Sequence, residues 1–235
     1  MKLKRFELHP GLTAVFTGVE DGDLTMSGRR EDARAVVMGV ASRAGFAPTD
    51  LRRMSQVHSA DVAIVAAESG HVPEVDALVD PRATAVPLVL TADCVPVVFA
   101  ASDAAGGGPM SAVAHAGRKG LLAGILTNTV HRLLEEGAQD IEAWIGPSIC
   151  GDCYEVPPDM AAEAERQRPG ITAQTSWGTS SLDLPGAAQR ELRDLGVLTR
   201  TEGSCTLSDE SYFSYRGGDL TRRNGSLAVP LMNPA

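Results

Sequence analysis

Two histidines and one cysteine stand beside apolar runs: His58 in SQVHSADV, Cys94 in LTADCVPVVF and His115 in AVAHAGRKG. Imidazole nitrogen and thiolate sulfur are preferred zinc ligands. Three protein ligands leave a fourth position for water or substrate, the mark of a catalytic rather than a structural ion. The three residues lie 36 and 21 positions apart, so no short motif ties them together. Taken singly, each also fits a plainer role as a buried, hydrogen-bonded histidine or an inert buried thiol. The same types also make a metal-free hydrolase, with Cys94 as nucleophile and His58 or His115 as base. Asp93, next to Cys94, is either a carboxylate that orients a ligand or moves a proton, or a buried hydrogen-bond acceptor.

Other metal chemistries fit less well. A multicopper oxidase needs roughly ten imidazoles, often in His-x-His pairs. This chain has five histidines and no such pair, although copper at the same three ligands remains a chemical alternative. A zinc nucleobase deaminase would show His-x-Glu and Pro-Cys-x-x-Cys; here Ser59 and Ala60 follow His58, and the cysteine segment reads Pro147-Ser-Ile-Cys150-Gly-Asp-Cys153. Cys150 and Cys153 have no second pair to complete a zinc ribbon, and Cys205 stands alone. A structural role is expected for them, with Cys150 or Cys153 near the metal.

Periodicity predicts the elements that must position these groups. Strands are expected over 12–19, 56–67, 86–90, 95–100, 112–114 and 141–145, and helices over 30–44, 121–134, 157–168 and 184–195. Leu122, Ile125, Leu126, Val130, Leu133 and Leu134 make one stripe on the strongest helix. The glycine-rich segment Ser102 to Pro109 reads as a loop within a domain. Strands and helices mixed in this order fit a layered α/β (α+β) fold, mixed sheets covered by helices, over 1–235 as a single domain.

Thirty acidic residues against 21 basic ones give a net charge of −9. That balance argues against a nucleic-acid or anionic-membrane partner, which would need clustered Lys and Arg. No apolar run approaches a bilayer span, and the start lacks a signal-peptide apolar core. Four cysteines are too few for a disulfide scaffold. A cytoplasmic location is expected.

The blocks QVHS, LTADCVPV, AHAG, IGPSIC followed by CYEV, then CT-x-SD and FSYR, resemble the YfiH-like family, also called laccase-domain or "multicopper polyphenol oxidase" proteins. The similarity runs in the family's order from about residue 50 to 223. It implies a zinc-dependent purine nucleoside phosphorylase with one zinc on His58, Cys94 and His115, acting on adenosine, inosine or guanosine with phosphate. Adenosine deamination is among the implied activities. Laccase-like redox chemistry and a weakly active zinc-binding partner protein are the alternatives. Phosphate is expected at the helix start His115-Ala-Gly-Arg118-Lys119-Gly120, where free N–H groups meet two cations. Tyr154 and Arg216 are candidates for lining the nucleoside pocket. The chain departs from the family pattern where Arg118-Lys119 replaces Trp-Arg and where Gly217-Gly218 follows Arg216. The expected contacts to substrate are therefore altered.

Overall fold

A computed structural model describes residues 3–8, 11–25, 30–65 and 72–231. In chain order the strands are β1 (Lys4–Glu7), β2 (Leu12–Phe16), β3 (Leu51–Arg52), β4 (Val62–Ile64), β5 (Ala77–Asp80), β6 (Val86–Thr91), β7 (Val95–Asp103), β8 (Pro109–Ala116), β9 (Ala138–Ile145), β10 (Thr172–Gln174), β11 (Ser180–Leu182), β12 (Leu198–Thr201) and β13 (Asn224–Pro230). The α-helices are α1 (Arg30–Ala44), α2 (Arg118–Ala123), α3 (Ile125–Glu135), α4 (Pro158–Gln167) and α5 (Leu184–Asp194). Strands pair into a five-stranded sheet, β1-β2-β13-β6-β3, a six-stranded sheet, β12-β9-β7-β8-β5-β4, and the β10-β11 hairpin.

Period-two alternation sorts the apolar side chains into three cores. Along β7, Val95, Val97, Phe99 and Ala101 face one core, while Val98 and Ala100 face another. The second core also takes Leu12, Ala14 and Phe16 from β2 and Ala228 from β13, so the two large sheets pack face to face. Outside the six-stranded sheet lie Leu121, Ile125, Val130, Leu184 and Leu192 of the helices. Outside the five-stranded sheet, Val37, Val40 and Ala44 of α1 pack on Val15, Leu88 and Leu227. The result is helix, sheet, sheet, helix, the mixed α/β layering expected from the sequence. Both faces of the central strands are buried, which is why β6 and β7 read as continuous apolar runs.

Seven strands, β1, β3, β5, β10, β11, β12 and β13, were not expected, and three of the expected elements break or end differently. The helix predicted over 121–134 is two helices, because Gly124 takes φ 92° and serves as both the end of α2 and the start of α3. Leu121, Ile125, Leu126, Val130 and Leu133 still face one core, so the stripe hides the break; Leu134 is exposed. The strand predicted over 56–67 is reduced to β4. At 57–59 the backbone N–H groups go to a carboxylate instead of a strand partner, and residues 66–67 lie outside the described residues. Before it, the Gln56 side chain both donates to and accepts from the Leu90 backbone at 2.8 and 2.9 Å, substituting for a strand neighbour. The strand predicted to reach residue 19 stops at Phe16, where Gly18 leads into a single 3-10 turn at Val19–Asp21.

Candidate metal centre and cleft

The β7–β8 hairpin pairs Val95 with Ala116 and Pro96 with His115, which carries Cys94 and His115 to the same end of the six-stranded sheet. His58 arrives from the loop before β4. Its Nε2 lies 3.8 Å from Cys94 Sγ, and its ring meets that of His115 edge-on with centroids 4.7 Å apart. The three potential ligand atoms all fall within 4.8 Å of one another. A tetrahedral zinc ion holds neighbouring nitrogen and sulfur ligands about 3.5 Å apart, so the donor set fits such an ion by chemistry and by spacing. Among the described residues, four non-glycine positions have positive φ, and two of them, His58 at 62° and Asp93 at 85°, belong to this site. Strained backbone of this kind gathers where a fold must aim side chains.

Asp76, missed in the sequence, organises the centre. Its buried carboxylate accepts from His115 Nδ1 at 2.7 Å and from the His58 N–H at 3.0 Å on one oxygen. The other oxygen accepts from the N–H groups of Val57 at 3.2 Å and Ser59 at 2.6 Å. Because Nδ1 of His115 donates to Asp76, its Nε2 is left to face the ligand group. Asp76 also accepts the His115 N–H on its own carbonyl oxygen. The signal available in the sequence was an aspartate opening the apolar run of β5. Gly117 closes the site from the other side: a Cβ there would come within 2.8 Å of His58 Cδ2 and 3.1 Å of Cys94 Sγ.

Burial disfavours the Cys94 thiolate, but hydrogen bonds and charge from His115 and His58 outweigh it and lower its pKa to about 6. For His115, burial works against the imidazolium; Asp76 and Cys94 prevail and raise the pKa to about 9. Burial would lift Asp76, yet His115 and the backbone N–H groups hold it at about 2. In the metal-free protein these shifts all run in the direction that favours carboxylate, imidazolium and thiolate side by side.

A cleft of about 780 Å³ opens over these residues, within the range of small-molecule sites. Tyr154 and Arg216 form one wall, the guanidinium lying 4.8 Å above the phenol ring and donating to the Glu155 carbonyl at 2.8 Å. The Asp93 carboxylate accepts from the Thr206 and Ser214 hydroxyls and the Arg216 N–H, each at 2.7 Å. Arg118 reaches Tyr154 from the start of α2, whereas Lys119 is exposed; neither lines the cleft itself. Met54, Gln56, Leu90, Tyr215 and Arg223 also line it; Gln56, Leu90 and Tyr215 fall in the QVHS, LTADCVPV and FSYR blocks without having been singled out, and Met54 and Arg223 lie outside those blocks. Cys150 and Cys153 gather with Cys205, which had looked isolated, and not with His58, Cys94 and His115.

Comparison with known proteins follows the same outline. The sequence profile of the family described as multi-copper polyphenol oxidoreductase laccase matches residues 19–230. A Streptomyces griseus protein named purine nucleoside phosphorylase is 40% identical over 212 residues, covering 86% of this chain and 85% of its own. One from Streptomyces coelicolor with the same name is 43% identical over 188 residues, with 78% and 76% covered. In structure, a Neisseria meningitidis protein superposes with a TM-score of 0.82 at 27% identity, covering 98% of this chain and 99% of its own. The Bacillus licheniformis protein YfiH does so at 0.81 and 25% identity, with 93% and 92% covered. The resemblance carried by the QVHS, ADC and AHAG blocks thus extends over nearly the whole fold, and the chain belongs to the laccase-like, YfiH-type family.

Proposed function

We propose that this chain is a zinc-dependent purine nucleoside phosphorylase that cleaves the N-glycosidic bond of adenosine, inosine or guanosine with phosphate, in the cytoplasm. The observation that carries this reading is the convergence of His58, Cys94 and His115 at the cleft, with Asp76 fixing two of them. The names borne by the relatives support it. Zinc bound there would supply Lewis acidity and a fixed positive charge beside the reacting groups. Tyr154 is held in its protonated form by burial and the nearby Cys94 charge, against the pull of Arg118 and Arg216. It can therefore donate a hydrogen bond to the nucleoside. Arg216, anchored on Glu155, keeps the Tyr154 ring in place and offers charge to phosphate. Helix α2 has only six residues, so its dipole is small and the Arg118 guanidinium must supply most of the attraction expected at that helix start. Lys119, being exposed, adds no more than long-range attraction. Asp93 acts by position: with three donors on its carboxylate, it holds the turn that presents Cys94.

Purified, zinc-loaded protein incubated with adenosine or inosine should release free base and ribose 1-phosphate only when phosphate is present. Release without phosphate would indicate a hydrolase, and conversion of adenosine to inosine would indicate deamination at the same cleft. No turnover of any purine nucleoside would overturn the proposal. The paired Cys94 and His115 also suit a metal-free cysteine hydrolase; activity surviving a strong chelator would favour that reading. Laccase-type chemistry is the weaker alternative, since among the described residues only two imidazoles converge.

A further inference from the structure

We propose that Cys150, Cys153 and Cys205 form a second metal site, separate from the first, that takes a thiolate-preferring d10 cation such as zinc. Three of the chain's four cysteines meet here although 55 residues separate Cys150 from Cys205. Their sulfurs all lie within 4.8 Å of one another. Tetrahedral zinc with bonds of about 2.3 Å places neighbouring thiolates about 3.8 Å apart, so the nest would need to close only slightly. Two turns build it. In Cys150-Gly151-Asp152-Cys153, the N–H groups of Cys153 and Tyr154 return to the Cys150 carbonyl at 3.1 and 2.9 Å. In the turn that begins at Cys205, the N–H groups of Ser208 and Asp209 return to the Cys205 carbonyl at 3.2 and 2.9 Å.

The turns are clamped together by a parallel bridge between Ser148 and Cys205. The Cys150 N–H donates to Cys205 Sγ at 3.4 Å. Donors aimed at sulfur favour thiolate over thiol. Three thiolates this close repel, and a divalent cation removes that repulsion; a disulfide would use two sulfurs and strand the third. All three are partly exposed, so a cation can enter. The nest also adjoins the cleft, since Tyr154 follows Cys153 and Thr206, which follows Cys205, bonds Asp93.

Protein prepared under reducing conditions, loaded with zinc and freed of excess should carry about two zinc ions per chain by elemental analysis. Cys205→Ser should carry about one, and so should the double variant Cys94→Ser with His115→Ala, which removes ligands from the other centre only. Wild-type content in Cys205→Ser, or none in the double variant, would overturn the proposal. On the unaltered chain, zinc should slow iodoacetamide labelling of Cys150, Cys153 and Cys205 by about tenfold or more relative to chelator-treated protein, read by peptide mapping. Equal labelling, or recovery of two of these cysteines as a disulfide from the zinc-loaded protein, would also overturn it.

Discussion

Replacing Asp76 with asparagine tests whether one carboxylate organises the metal centre. The side chain keeps its shape but loses one acceptor, and the four donors around it leave no orientation without conflict. With the amide nitrogen in place of the outer oxygen, it faces the N–H groups of Val57 and Ser59. Turned over, it faces the His58 N–H and His115 Nδ1. Each orientation forfeits two hydrogen bonds to a charged acceptor, worth about 1.5–3 kcal/mol apiece. A loss of about 3–6 kcal/mol is therefore expected in the metal-free protein. For a chain of this size that lowers Tm by about 6–24 °C. In the second orientation the proton of His115 is driven toward Nε2, the atom needed as ligand, so zinc affinity should fall by about 10- to 100-fold. Thermal unfolding of metal-free protein and competition with a chromophoric chelator measure the two effects. A variant that binds zinc within about threefold of wild type, with Tm unchanged, would refute the role assigned to Asp76.

Gly117→Ala should isolate sterics at the same centre. Gly117 sits at φ −68°, ψ 164°, which alanine adopts freely, so stability should change by less than about 1 kcal/mol. Its Cβ would press on His58 and Cys94, and zinc affinity should drop about tenfold; the same competition titration decides. The pH dependence of zinc binding follows from the raised pKa of His115. Its proton must leave before the metal binds, so affinity should climb about tenfold per pH unit between pH about 6, where Cys94 ionises, and about 9, then level off. A flat profile by the chelator assay would contradict this. In the metal-free protein the sign is opposite: a histidine whose folded pKa exceeds its ordinary 6.5 stabilises fully below that value and stops doing so as pH rises through about 9. The gap in Tm between wild type and Asp76→Asn should therefore narrow above pH 9. At Gly124, whose φ is 92°, alanine should cost about 1–2 kcal/mol by urea unfolding, since it must take a left-handed conformation.

What was legible in the sequence and what was not divide along the range of the interactions. The apolar runs of β6 and β7 are a local property and marked buried strands without knowledge of any partner, whereas which core Phe99 and Val98 each face is decided by the packing of the sheets. The loop over 102–109 was readable, but the pairing of the strands it joins was not. Two apolar runs on either side of a glycine-rich loop, paired so that Ser102 meets Pro109, bring Cys94 opposite Gly117 and next to His115. The β7–β8 pairing is what sets Cys94 beside His115, and the approach of His58 needs the rest of the fold. Asp76 could not be found this way, because its role consists of contacts to residues 57–59 and 115, contributed by two other segments. The break at Gly124 was hidden for a related reason: α2 and α3 pack on one face of one sheet, so the burial pattern runs on across the turn. Cys205 looked solitary because its partners lie in a turn 55 residues earlier. Residue type announces what chemistry is available. Long-range geometry decides which groups share it, and it is the carboxylate and the turns behind the ligands, more than the ligands themselves, that make the difference between a histidine and a metal ligand.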